Sequence, residues 1–429
     1  MMIEEFDIVV IGGGPAGMAA ALAAESYAQN LRIAIIERAP ELGGILNQCT
    51  HTGFGLTYFG EELTGQEYAK RFVQRAAQSR VEVFNDTTVL SIGNDRDLTI
   101  TGRKTGLVQM RAKAVVLATG CRERPIGALP VEGTRPSGVY SAGMAQKMMN
   151  LSGYDLGNRF VILGSGDVGL IVARHLALAG KEVIAVVEKE ADCGGLPRNR
   201  INCLEKHGIP LLTNTTVSRV HGVGRITGVT MKRSEDIRAS RTASGTVSEA
   251  SSEQRANADI YMINYELPEL ASERFIECDT LITSVGLIPE RELLEGMICS
   301  VGGSGASGEY NAAYKHGSDP VKGLPEWLFL CGNACYVHDA ADDVTIESQR
   351  VGEFAAQYVI SGETQALKPL GRVTSADIAD KAAPNNTAAS MHNYVETVLC
   401  TACPKGCKAF LTINGWQGLA CGRAEPANE

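Results

Sequence analysis

Between residues 400 and 421 the sequence runs Cys400-x2-Cys403-x3-Cys407-x13-Cys421. Three of these thiols, spaced around Pro404 and Gly406, can wrap a compact site, and the fourth follows a short strand-like stretch, "KAFLTING". Four thiolates so placed suit either a [4Fe–4S] cluster or a tetrahedral zinc ion. Further upstream, Cys49 stands two residues before His51, a thiol and an imidazole able to stabilise an adduct or pass a proton. The plainer role for Cys49 is a small apolar residue buried in a turn. Cys331 and Cys335 bracket "GNA" at a spacing that fits neither a redox pair nor a metal knuckle, which makes them wall residues. "VHDAADD", residues 337 to 343, gathers His338 and three acids. It reads equally as a proton-transfer group or as the capped, acidic start of a helix.

A metal centre that carries electrons needs a donor or acceptor, and two glycine triplets supply the frame for one. In "FDIVVIGGGPAGMAAALAAE" an apolar strand ends in Gly12-x-Gly14-Pro15-Ala16-Gly17 and passes into an alanine-rich helix. Gly12 allows the tight turn, Gly14 lets a pyrophosphate approach the backbone, and Gly17 lets helix and strand pack closely. The helix N-terminus attracts the anion. A second strand, "RIAIIE", ends at Glu37, followed by Arg38, where a carboxylate can accept from ribose hydroxyls. The arrangement recurs in "RFVILGSGDVGLIVARHLALAG", with Gly164-x-Gly166-Asp167-Val168-Gly169, and in "KEVIAVVE", which ends at Glu188. An acid there repels a 2′-phosphate and favours NAD(H), while the adjacent Lys189 keeps NADP(H) open.

At 429 residues the chain suits two or three domains. Its net charge of −9, with the signs interspersed, argues against nucleic acid as a partner. No stretch approaches the roughly 20 apolar residues of a membrane helix. The acidic start, "MMIEEFDIVVIGGG", has no secretory pattern, so the 12 cysteines read as free thiols or ligands in a reducing compartment, and cytoplasm is the expected location.

Three further apolar strands, in "AKAVVLATGCRERP", "DTLITSVGLIPE" and "WLFLCGNA", complete an order of segments over residues 5 to 365. That order resembles the flavoproteins with two dinucleotide-binding domains, the pyridine nucleotide–disulfide oxidoreductase-like superfamily. The resemblance implies an α/β fold of two Rossmann-like domains, the first split around the second. FAD would then lie on Gly12, Gly14, Pro15, Ala16, Gly17, Glu37, Arg38 and Gly44, with the adenine near the amide of Val89. Thr119-Gly120 would close that domain, and Gly332-Asn333 stands where the family usually has Gly-Asp beside the flavin's ribitol. An asparagine can donate or accept there but carries no charge. NAD(H) would lie on Gly164, Gly166, Asp167, Val168, Gly169 and Glu188, with Gly286 ending the return strand. The expected boundaries are 1–138 and 288–365 for the FAD domain and 139–287 for the NAD domain. A linker at 366–393 and a four-cysteine module at 394–429 would follow. Residues 234 to 258 and 302 to 324 read as polar loops.

Disulfide reductases of this kind carry Cys-x4-Cys after the first Gly-Gly, where this chain has Leu46 and His51. Thioredoxin reductases carry Cys-x-x-Cys where it reads "GVYSAGMAQ". Thiol–disulfide exchange needs an attacking and a resolving thiol, so both activities drop out. "GGILNQCTHTGFGLTYFGEELTGQEYAKRF", "GSGDVGLIVARHLALAG" and "CGNACYVHDAADDV" are similar to the flavoprotein subunits of anaerobic glycerol-3-phosphate dehydrogenase-type enzymes, and to α subunits of sarcosine and opine oxidases. The x2, x3 cysteine spacing resembles the cluster segment of molybdopterin oxidoreductases. The tail also resembles a small four-cysteine companion of such subunits, here fused and shortened. Together these imply an electron-transfer subunit of a hetero-oligomer, exchanging hydride between NAD(H) and FAD and single electrons through an iron–sulfur cluster with a substrate-oxidising flavoprotein. A self-contained NADH dehydrogenase or oxidase with a zinc tail, and a nucleotide-sensing scaffold, remain as alternatives.

Overall fold

Val9, Val10 and Ile11 have no polar neighbour in sequence to expose, and strand β1 (Glu4–Ile11) is buried along that run on both faces. Burying each such side chain contributes about 1.5–3 kcal/mol. Helix α1 (Pro15–Tyr27) starts on a proline and is built of alanines, and Ala16 to Ala21 and Ala24 are buried against the sheet and a second helix. Strand β2 (Ile33–Ile36) returns parallel to β1, with Ile11 opposite Ile36. In this computed structural model the described residues are 4–234, 273–295 and 325–362, with the backbone of 409–412 and 415–418.

The described chain divides into two compact units, one running to Cys121 and resuming at Pro289, the other spanning Arg122–Ile288. In the first, a parallel sheet places Glu82–Phe84, β2, β1, the long strand Gly106–Leu117 and finally Leu328–Leu330 side by side. Besides β1, the strand Gly106–Leu117 serves two further partners. Its early residues pair antiparallel with Asp97–Gly102 of a meander, while Val115–Leu117 pair parallel with Leu328–Leu330.

The second unit repeats the βαβ pattern with β3 (Arg159–Leu163), α2 (Asp167–Leu178) and β4 (Glu182–Val187). They lie in a five-stranded parallel sheet ordered Val139–Ser141, Thr280–Thr283, β3, β4, Leu211–Leu212. A smaller sheet pairs Thr215–Gly222, Ile226–Arg233 and Glu273–Glu277 antiparallel, and Glu132–Gly133 joins the edge of Thr215–Gly222 in parallel.

The returning chain closes the first unit with helix α3 (Ala341–Ser361). It packs on α1 so tightly that a Cβ on Gly352 would collide with the Ala20 carbonyl. Small residues are buried on both helices, Gly352, Ala355 and Ala356 on α3 and Ala20 and Ala24 on α1, and Gly352 meets Ala20 directly.

The expected polar loops lie outside the described residues from 235 and from 302 onward, as do the expected linker at 366–393 and all four cysteines of the tail. Of the tail, the described backbone is a hairpin pairing Ala409–Thr412 with Gly415–Gly418, so the "KAFLTING" stretch supplies a strand between Cys407 and Cys421.

Candidate functional site

Each βαβ unit builds its glycine turn in the same way, and each turn is bonded to the acid at the end of the next strand. In the first unit, a Cβ on Gly12 would collide with the Ala118 carbonyl, and one on Gly17 would collide with the Gly12 carbonyl. The turn therefore sits hard against both its neighbours. Pro15 takes the first helical position, and Gly14, the N-cap, brings no side chain to cover the first turn's N–H groups. Glu37 is buried; its Oε2 accepts from Gly13 N at 2.6 Å and its Oε1 from Ala39 N at 2.7 Å.

The loop after Glu37 folds back over the turn. Gly43 N donates to Gly13 O at 2.9 Å, and Gly44, at φ +57°, comes so close that a Cβ on it would stand 2.9 Å from Gly14 Cα. Arg38 points outward into an ion pair with Glu290 at 3.4 Å. Val89 lies opposite Ile100 in the meander, with its side chain in the core; Thr87 N donates to Glu37 O at 3.0 Å and ties that strand to the acid. Thr119 Oγ1 donates to Glu290 O at 2.6 Å, and Glu290 N donates to Gly120 O at 2.9 Å.

The second turn substitutes a hydroxyl for a backbone approach. Ser165 donates to Glu188 Oε2 from both its N (3.0 Å) and its Oγ (2.6 Å), and Glu190 N donates to Glu188 Oε1 at 3.1 Å. Gly194 N in turn donates to Ser165 Oγ at 2.7 Å. Asp167, at the start of α2, accepts from Leu196 N at 2.8 Å and Asn199 Nδ2 at 2.7 Å, so the loop 194–199 is held across the helix start. Gly164 is pressed against the Ser284 carbonyl and Gly169 against Gly164 O, while Val168 is half-buried on α2. Gly286 accepts from Arg124 N at 3.0 Å. In both units bare backbone at a helix N-terminus stands beside a buried carboxylate with lone pairs to spare, a donor set that fits a dinucleotide's pyrophosphate and ribose.

The pyridine nucleotide-disulphide oxidoreductase family matches residues 6–311. The chain belongs to that family. It is 34% identical over 195 residues to one of the subunits of opine oxidase from Agrobacterium tumefaciens (strain Ach5), covering 43% of this chain and 37% of that relative. To the alpha chain of sarcosine oxidase from Corynebacterium sp. (strain P-1) it is 26% identical over 229 residues, 49% of this chain and 22% of that relative. The chain thus matches about a third or less of the length of these curated relatives. Among solved structures, thioredoxin reductase of T. acidophilum superposes with a TM-score of 0.58 at 19% identity, covering 83% of this chain and all of that one, a likeness of fold.

Thiol-dependent members of this oxidoreductase family place cysteine pairs at two positions, and here both hold other residues. At the first, Leu46 is buried and His51 faces partly outward, its Nδ1 3.0 Å from Thr52 O. At the second, Ser141 and Gly143 begin the helix Ala142–Asn150, whose first turn is capped by Glu123; Gly143 N donates to it at 2.7 Å and Met144 N at 3.3 Å. Among the described residues every cysteine is free of disulfide bonds. Cys49 is buried and donates to Ile45 O, and burial pushes its thiol up to about 11, so it stays protonated at neutral pH. Cys331 and Cys335 are buried, with thiols pushed up by desolvation and by Glu347. No group of His, Cys, Asp and Glu among the described residues is arranged to hold a metal, and no described helix is long and apolar enough to cross a membrane.

Several roles were not visible in the spacing. Asp342 is buried at the start of α3 and accepts from Gly55 N (3.0 Å), Thr57 N (2.8 Å) and Tyr58 N (3.4 Å), which fixes the loop after His51. The loops over the two turns share a pattern, Glu37-x5-Gly43-Gly44 and Glu188-x5-Gly194-Gly195, and that recurrence was the signal that would have found Gly43, Gly194 and Gly195.

Proposed function

We propose that this chain is an FAD-dependent NAD(H) oxidoreductase that serves as the electron-transfer subunit of a larger enzyme, in a cytoplasmic hetero-oligomer. The observation that carries the reading is the pair of acid-bonded glycine turns in a chain whose described residues hold no cysteine pair at either of the family's two dithiol positions. Two dinucleotides would be held, yet neither place offers the thiols that would discharge them.

In this reading Gly12, Gly14 and the N-terminus of α1 hold the FAD pyrophosphate and Glu37 its ribose. Gly164, Gly166, Glu188 and the N-terminus of α2 hold NAD(H). Bound FAD supplies the conversion between two-electron hydride chemistry and single-electron transfer. The side chains position and exclude water more than they react. Asp342 pins the loop that follows Cys49 and His51, and the Cys49 thiol remains a neutral, buried donor. Cys400, Cys403, Cys407 and Cys421 would ligate an iron–sulfur cluster that passes single electrons to or from a substrate-oxidising flavoprotein. Relatives named as oxidase subunits support a partner of that kind.

Anaerobic purification with an absorbance spectrum and iron and zinc assays tests the proposal. Equimolar zinc without iron would remove the relay and favour a self-contained NADH dehydrogenase. A flavin that stays oxidised under excess NADH would remove the oxidoreductase reading. Cys403→Ser should leave FAD bound and reducible by NADH, yet abolish reduction of an acceptor that depends on the tail. Undiminished transfer to that acceptor would take the cysteines out of the pathway.

A further inference from the structure

Asn333, His338 and Glu347 form a partly buried group whose contacts the roles described for the two glycine turns do not use. The His338 side chain is 4% exposed and that of Glu347 13%. Asn333 Oδ1 accepts the backbone N–H of His338 at 3.0 Å and lies 3.2 Å from His338 Nδ1. The backbone N–H can only donate, so the amide must present its oxygen there, and an amide oxygen can only accept. The Nδ1 facing the same oxygen therefore carries a proton.

The far side of the ring has a different neighbour. His338 Nε2 lies 3.1 Å from Glu347 Oε2 but outside hydrogen-bonding alignment, and that oxygen already accepts from Gly332 N at 2.9 Å. Nε2 thus faces a carboxylate oxygen without making a hydrogen bond to it. The Tyr336 ring stacks on the imidazole at 4.0 Å between centroids, and Arg291 holds the carbonyls of Ala334 and Cys335, so the loop has little freedom to turn the ring over. The remaining end of the amide, Asn333 Nδ2, faces Cys121 Sγ at 3.5 Å.

We propose that His338 is a positioning residue of the flavin site: its Nδ1–H orients Asn333 so that the amide NH2 would meet a hydroxyl of the flavin's polyol chain. The proposal rests on the FAD reading above. It makes residue 333 a donor to that chain, where an aspartate would be an acceptor. The bond from Gly332 N to Glu347 joins the loop to α3, and His338 lies between that carboxylate and Asn333.

Two measurements test it. Nitrogen NMR of the labelled apoprotein at neutral pH should show the His338 ring protonated at Nδ1; a ring bare at Nδ1 overturns the proposal without any cofactor present. The second measurement separates the two ends of the ring. In His338→Asn the amide NH2 stands near the place of Nδ1, while His338→Gln reaches toward Glu347 and leaves Asn333 Oδ1 without its side-chain donor. FAD binding, followed by quenching of flavin fluorescence, should stay within about twofold in His338→Asn and weaken about tenfold in His338→Gln. Equal affinities in the two variants overturn the role of His338 alone. Failure of the unaltered protein to bind FAD overturns the reading on which the proposal rests.

Discussion

Gly44→Ala acts at one backbone position whose conformation and surroundings are both fixed. At φ +57° a residue with a Cβ costs about 1–2 kcal/mol. Its Cβ would also stand 2.9 Å from Gly14 Cα, and because that neighbour is backbone, relief costs about 1–3 kcal/mol more. The loop can escape both by lifting from the glycine turn, breaking the bond from Gly43 N to Gly13 O. The cost then falls on the conformation that holds the nucleotide. At about 1.4 kcal/mol for each factor of ten, even the lower sum weakens FAD binding roughly thirtyfold. Titrating apoprotein with FAD and following flavin fluorescence reads this directly. Gly106→Ala is the control: its φ is +65° but nothing lies within 4 Å of its Cβ, so backbone strain acts there without a collision. That variant should melt a few degrees lower and bind FAD normally. If Gly44→Ala binds FAD within about threefold of the unaltered protein, the close packing of the loop on the turn is not what shapes the site.

Glu188→Ala removes the acceptor of Ser165 N, Ser165 Oγ and Glu190 N, and should raise KM for NADH by about tenfold while FAD content is unchanged; steady-state kinetics with a flavin assay checks both. Asp342→Ala leaves the amides of Gly55 and Thr57 without their carboxylate, a loss of about 2 kcal/mol that should speed their hydrogen exchange roughly thirtyfold without a matching change in the β1 amides. Cys49, with its thiol pushed up to about 11 by burial, should resist alkylation in the folded protein at mildly alkaline pH and react only after unfolding, as mass spectrometry of the labelled peptide would show.

What could be read in advance followed from short-range constraint. A strand, three glycines, a helix and an acid lie within about thirty residues of one another, and the third glycine of each triplet meets the carbonyl of the first. The two βαβ units were therefore legible from Gly12–Glu37 and Gly164–Glu188. Asp342 was not, because its partners at Gly55, Thr57 and Tyr58 lie 284 to 287 residues earlier and its own neighbours suggested either a proton-transfer group or an acidic helix start. Glu123 was hidden for the same reason, since the helix turn it caps is 18 to 21 residues away on a separate element. His338 was visible as a titratable residue, but its orientation depends on Asn333 across a turn and on Glu347 further along the chain in α3, which no periodicity encodes.

The strand Gly106–Leu117 waits for its last neighbour. Leu328–Leu330 and the helix whose Gly352 nests on Ala20 are synthesised only after the whole of Arg122–Ile288 has left the ribosome. The inserted unit is contiguous and can complete its own core during translation, whereas the first must hold Val115, Val116 and the alanine face of its opening helix uncovered until the chain returns. Assembly order is thus the reverse of chain order. A truncation before residue 325 would yield a finished inner unit flanked by a half-built outer one with an open sheet edge, a species prone to aggregate and to recruit chaperones.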